Sequence, residues 1–249
     1  VSSPDEFAWP GGRRAAVSLS FDDARPSQVD VGLPVLDRYG VKGTFYVSLS
    51  NAVQRLDAWR AAARVGHEIG NHSLRHACSG NFDFARANPL ESYTLERMER
   101  ELLQANGQIE EILGARPVTF AYPCGQTFVG RGEGLRSYVP VVARHFLVGR
   151  RAFDEVHNHP VYCDLARATS LDLDCASFED AMAMIERAAG DDGWVIFMCH
   201  DVGEGGRQTT LADVLDEVCR YAADPANGIW IDTVATVGSF VRDAQAALR

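Results

Sequence analysis

Short apolar runs alternate with longer amphipathic stretches along the whole chain, and this alternation limits the fold more than any other feature. The runs fall at residues 15–21, 43–48, 68–72, 118–122, 145–148, 167–170, 194–199 and 229–232 and are expected as strands. Between them, residues 29–39, 52–65, 92–113, 178–189 and 211–223 carry apolar side chains at helical intervals. In 92–113, for example, Leu95, Met98, Leu102, Ala105, Ile109 and Ile112 recur three or four residues apart, with charges between them. Gly40 and Gly114 follow their helices as stops, while Asp57 and Ser177 are candidate starts. Strand–helix units in series imply a parallel sheet with helices outside it, hence an α/β fold. Seven or eight such units suggest a closed or nearly closed (β/α) barrel. A doubly wound open sheet is the alternative, but no G-x-G-x-x-G follows a strand to open a dinucleotide site. No repeat, low-complexity tract or long linker interrupts the pattern, so residues 1–249 read as one domain.

Composition narrows the functional classes. A formal net charge of −10 disfavours nucleic acid as the main partner, because phosphate binding needs a basic surface. No apolar run is long enough to span a membrane, and no signal pattern opens the chain at Val1, although a chain starting there is compatible with earlier trimming. The six cysteines form no C-x-x-C pair, and several lie in apolar runs such as "VIFMC", as buried free thiols do. That usage leans toward a reducing, cytoplasmic setting, with secretion the expectation for a processed chain. Oligomeric state is not legible.

In a parallel barrel the residues just past the strand C-termini line the site. The first strand runs through Val17, Leu19 and Phe21 and stops on adjacent carboxylates, Asp22 and Asp23. The third delivers His72 and His76, the fourth ends in the turn Pro123–Cys124–Gly125, and the seventh delivers His200 and Asp201. Each group has an ordinary reading: turn acids, two histidines on one exposed helical face, a satisfied histidine at a strand end. Three strands placing acid or imidazole at one barrel mouth is harder to reach by accident. One carboxylate and two imidazoles can hold a divalent metal with positions left open. Such a metal lowers the pKa of bound water toward about 7 and polarises a carbonyl. A second carboxylate can accept the water's proton and a further histidine can protonate a leaving group.

The motifs then become specific. "SFDDA", "HSLRH" and "MCH" resemble the T-F-D-D-G, H-S/T-x-x-H and L-x-H motifs of the polysaccharide deacetylase family, the NodB-homology domain of carbohydrate esterase family 4. They stand in the family's order over residues 15–240. The resemblance implies a distorted (β/α)7–8 barrel and a metal-dependent hydrolase acting on acetylated carbohydrate. It makes Asp22 the general base, His200 the general acid, and Asp23, His72 and His76 the ligands of one divalent ion. Zinc is expected from the N/O donor set, with cobalt, nickel or iron(II) able to take the same place. The third motif maps to "AYPC", so Tyr122, Pro123 and Cys124 fall in the oxyanion and substrate region, with the Cys124 backbone N–H as donor.

Two positions depart from the family pattern. Ala121 stands where the family has the arginine that partners the base, and another cation or the Tyr122 hydroxyl would have to substitute. The fourth motif is represented by "LDLDCASFED", which holds Asp172 and Asp174 but no tryptophan. Phe82, Phe84 and Phe128 are candidate sugar-stacking residues, with ordinary loop packing the competing reading. The expected reaction is N-deacetylation of an amino sugar or glycan. The alternatives are an O-acetyl esterase acting on acetylated xylan or another polysaccharide, another C–N bond, and a catalytically weak glycan-binding barrel. A 2-His-1-carboxylate iron oxygenase shares the ligand set, but its H-x-D/E spacing is absent.

Overall fold

The computed structural model describes residues 7–248. Eight parallel strands form one curled sheet: β1 (Ala15–Asp22), β2 (Thr44–Val47), β3 (Glu68–Asn71), β4 (Thr119–Ala121), β5 (Val148–Arg150), β6 (Leu171–Asp172), β7 (Trp194–Cys199) and β8 (Ile229–Ile231). Their order is β5-β4-β3-β2-β1-β7-β6, and β8 also pairs with β1. β1 is the hub. Its residues 16–21 pair with β7 along one edge, while on the other edge Ala15–Val17 pair with β8 and Ser20–Asp22 with β2. A bridge between Arg150 and Ala168 brings the two ends of the sheet together, since β6 starts three residues later and pairs with β7. The result is the expected distorted α/β barrel.

All eight residues of β1 and all six of β7 are buried, because helices cover the outside and side chains fill the inside. The outer layer comprises α1 (Leu33–Arg38), α2 (Leu56–Arg64), α3 (Leu95–Leu113), α4 (Val139–His145), α5 (Phe178–Ala189), α6 (Ala212–Ala223) and α7 (Val234–Ala247). Local chemistry sets their ends. The Thr94 hydroxyl accepts from Arg97 N at the start of α3, and Gly114 closes it with φ of 72°. Ser177 and Asp180 form a reciprocal capping box on α5. Asp57 instead lies in the first turn of α2, where it meets the positive helix end without capping it.

Several boundaries differ from the sequence reading, among them the starts of 52–65, where α2 begins at Leu56, and of 92–113, where α3 begins at Leu95. The run at 145–148 is not a strand from its start, because α4 occupies Val139–His145, with Pro140 supplying the fixed φ that suits a first helical turn. The run at 167–170 is likewise displaced: a turn capped by Asp164 takes Leu165–Arg167, Ala168 makes the single bridge to Arg150, and the strand begins at Leu171. The stretch 29–39 opens with a wide π turn, Gln28–Gly32, before α1. That turn matters for the site. Gln28 is buried, and its amide donates to the carbonyls of Asp22 (2.5 Å) and His200 (2.8 Å), tying the ends of β1 and β7 together.

Candidate active site

The strand C-termini open into a cavity of about 970 Å³ whose lining includes Asp22, Asp23, His72, His76, Cys124 and His200. Asp22 is the last residue of β1 and Asp23 the first beyond it; His72 follows β3 directly and His200 follows β7. Non-glycine residues with left-handed backbone gather around this cavity: Asp23 (φ 76°), His76 (49°), Cys124 (52°) and Phe153 (58°). Such conformations are held only where surrounding bonds over-determine them. At Asp23 the N–H donates to Tyr46 O (3.0 Å), and Asn51 Nδ2 donates to its carbonyl (3.0 Å).

The two adjacent carboxylates have different surroundings. Arg25 donates twice to Asp23 Oδ2 (3.0 and 3.2 Å), which leaves Oδ1 facing His72 Nε2 at 3.6 Å and His76 Nε2 at 3.5 Å. His72 Nδ1 lies 3.0 Å from Ala121 O, and a carbonyl can only accept, so the ring proton sits on Nδ1 and the Nε2 lone pair points inward. Burial above all pushes His76 down to about 4, so its ring is neutral at pH 7, as a metal ligand must be. The two distances lie close to the edge of about 3.4 Å expected between N and O donors of a tetrahedral zinc site. By donor chemistry and spacing, Asp23, His72 and His76 fit a divalent cation.

Asp22 is 3% exposed, and its Oδ1 accepts from the guanidinium of Arg150, which is completely buried. Burial opposes ionisation of Asp22, but the charge of Arg150 foremost, with that of His200, outweighs it and holds the carboxyl at about 2. Arg150 ends β5, where it is register partner to Ala121 on β4. The cation absent at Ala121 is therefore supplied by the next strand. Tyr122 does not substitute: its hydroxyl donates to Ala166 O (2.7 Å) in the core, and neither it nor Pro123 lines the cavity. Of the "AYPC" turn, only Cys124 forms part of the wall.

His200 is also oriented. Its Nδ1 lies 2.6 Å from Asp174 Oδ2, while the His200 backbone N–H donates to Asp174 Oδ1 (3.1 Å), which also accepts from the Thr210 hydroxyl (2.8 Å). Burial works against the charged ring, yet the hydrogen bond to Asp174 and the charges of Asp22 and Asp174 raise the His200 pKa overall. Of the two acids in "LDLDCASFED", Asp174 thus contacts the histidine, and Asp172 accepts from Asp174 N (3.0 Å). Phe82 and Phe84 line the cavity and are exposed, with Phe84 5.7 Å from the His76 ring. Phe128 lies outside it, whereas Phe153 and Arg207, not singled out from sequence, belong to its lining. Arg150, Gln28 and Arg25 were also missed. The one local signal was the apolar run before Arg150, which stops on a charge just as β1 does.

Paired acids and imidazoles thus meet at the strand C-termini of a parallel α/β barrel, where such folds carry their sites. The family model described as polysaccharide deacetylase matches residues 10–130 of this chain. Among curated relatives, a gellan lyase from Bacillus sp. is 24% identical over 213 residues, 80% of this chain; the chain spans 8% of that protein's length. Among solved structures, a protein assigned as a polysaccharide deacetylase from Mycobacterium smegmatis has a TM-score of 0.69 at 19% identity, covering 96% of this chain and 94% of that one. A family 4 acetyl xylan esterase from Clostridium thermocellum, solved with a cobalt ion, has a TM-score of 0.58 at 18% identity, covering 90% and 91%. At these identities the structural likeness is one of fold. No helix among the described residues is long and apolar enough to cross a membrane.

Proposed function

We propose that this chain is a metal-dependent hydrolase that removes N-acetyl groups from amino sugars or glycans, releasing acetate. The observation that carries this reading is the meeting of Asp23 Oδ1 with His72 Nε2 and His76 Nε2 beside two separately supported groups, Asp22 on Arg150 and His200 on Asp174. A divalent ion held by Asp23, His72 and His76, zinc first and cobalt, nickel or iron(II) in its place, would supply carbonyl polarisation and a more acidic water. Asp22, kept ionised by Arg150, accepts the water's proton. The Cys124 backbone N–H, held at the cavity wall by its left-handed turn, donates to the developing oxyanion. His200 is held through Nδ1 by Asp174, so Nε2 is left to protonate the departing nitrogen. Phe82 and Phe84 offer apolar faces to a sugar ring.

Acetate release across a panel of N- and O-acetylated glycans, with defined metals, tests the proposal. Acetate from N-acetylated members is expected; release from esters alone would make the chain an O-acetyl esterase, and no release with any metal would leave only a glycan binder. Arg150 argues against the binder, because binding alone needs no restrained base. The ligand set has its own test. His76→Ala protein, purified without chelator, should lose the metal that elemental analysis finds in the wild type; full occupancy in the variant would refute the assignment.

The His200–Asp174 pair predicts a pH effect. His200 acts as an acid only while protonated, and its pKa is raised in the folded protein, so activity should persist toward alkaline pH and fall as pH rises through that pKa. Asp174→Asn removes the raising partner while burial remains. The alkaline limb of the kcat profile should therefore move to lower pH, measured on protein whose melting shows it folded. An unmoved limb would separate His200 from leaving-group protonation.

A further inference from the structure

The His76 ring lies between two donor sets. Its Nε2 faces Asp23, and its Nδ1 lies 3.7 Å from Cys78 Sγ. The donor atoms of His76, Cys78 and Cys124 all lie within 4.8 Å of one another. Tetrahedral coordination with metal–sulfur and metal–nitrogen bonds of about 2.3 and 2.0 Å places sulfur and nitrogen donors about 3.6 Å apart, and two sulfurs about 3.8 Å apart. The His76–Cys78 pair is thus at ligand spacing as folded, and Cys124 comes within 4.8 Å of both. Cys78 is fully buried, whereas Cys124 is part-exposed and lines the cavity, so an ion can enter from the cavity and come to rest against a dry wall. Both cysteines are free thiols.

We propose that Cys78, Cys124 and Nδ1 of His76 form a second cation site, which takes a thiophilic ion such as cadmium, mercury(II) or copper(I) and competes for His76 with the Asp23–His72–His76 set. Soft thiolates select such ions over the harder ones that carboxylate and imidazole accept. Competition follows from the ring. Neutral imidazole has one nitrogen lone pair, so an ion taking Nδ1 leaves the proton on Nε2 and withdraws that nitrogen from Asp23 and His72. Binding releases one proton from each thiol and moves the ring proton from Nδ1 to Nε2. The thiol site stands on its own donors; the competition rests on the proposed deacetylase ligand set.

Reduced, zinc-loaded protein titrated with cadmium chloride provides the test. Thiolate-to-cadmium charge-transfer absorption should grow to one cadmium per chain, be lost in Cys124→Ala and Cys78→Ala, and persist in Cys175→Ala. Zinc affinity should fall by at least about tenfold once the band is saturated, as expected when a site loses a ligand or its support. Because Cys78 is buried, the more accessible Cys124→Ser serves as the second variant if Cys78→Ala fails to fold. No band, or a band undiminished in the Cys124 variants, overturns the site. A band with unchanged zinc affinity overturns the competition. A band in protein that binds no zinc supports the thiol site and instead removes the proposed deacetylase ligand set.

Discussion

Arg150→Met is expected to destabilise the protein by about 3–5 kcal/mol at pH 7 and to abolish most of the proposed acetate release, because it strands the Asp22 carboxylate in a buried site. The stability effect should depend on pH in a defined direction. With Arg150 present, Asp22 sits at about 2, below its ordinary value, so the pair stabilises the fold above about pH 4 and loses that contribution as pH falls toward 2. Without Arg150, burial is left as the largest influence and the pKa rises, so acidification lets the variant neutralise its stranded charge. The difference between wild type and variant should shrink from pH 7 to pH 4.5 in urea unfolding of metal-free protein. A constant difference would assign the loss to packing rather than to charge.

A second variant decides whether the guanidinium or its strand matters. Ala121 and Arg150 are register partners on adjacent parallel strands, so Ala121→Arg with Arg150→Ala moves the cation one strand across the same barrel interior. Turnover should return to within about tenfold of wild type if the base needs only a nearby cation, since coupled neighbours compensate in such cycles. No recovery would mean that the position on β5, under the Tyr46 ring 5.0 Å away, is itself required.

How much of this was legible depended on the range of the interaction. β1 and β7 were read within a residue of their observed bounds, because strands buried on both faces announce themselves as unbroken apolar runs. The same signal failed around residue 145, where the run spans a helix end and a strand start, and periodicity cannot separate two short buried elements. Asp22, Asp23, His72 and His200 could be singled out because each lies at or just past its strand's end, and His76 because it stands four residues beyond His72 in "HSLRH". Arg150 could not be assigned to Asp22, because the two are 128 residues apart and meet only through the β4–β5 register. Asp174 was visible beside Asp172, and only the turn after β6 distinguishes them. Gln28 left no trace, since its role depends on a π turn that no residue pattern marked.

The two aspartates of "FDD" should fail in different ways. Asp22→Asn keeps the shape and removes the proton acceptor, so turnover should fall by roughly 10²–10⁴-fold while metal content stays at wild-type level. The amide also leaves Arg150 without its anion, so part of any lost stability belongs to that pair and should be absent from Asp22→Asn/Arg150→Met. Asp23→Asn should instead release metal, because Oδ1 is the one carboxylate oxygen facing both His72 Nε2 and His76 Nε2, and a neutral amide oxygen is a poorer donor to a divalent ion. Its activity should return in part with excess metal, whereas Asp22→Asn should not respond. The assignment rests on that crossing of outcomes. Asn at 22 turning over at the wild-type rate, or Asn at 23 retaining its metal through dialysis against chelator, would exchange or dissolve the roles given to the two carboxylates.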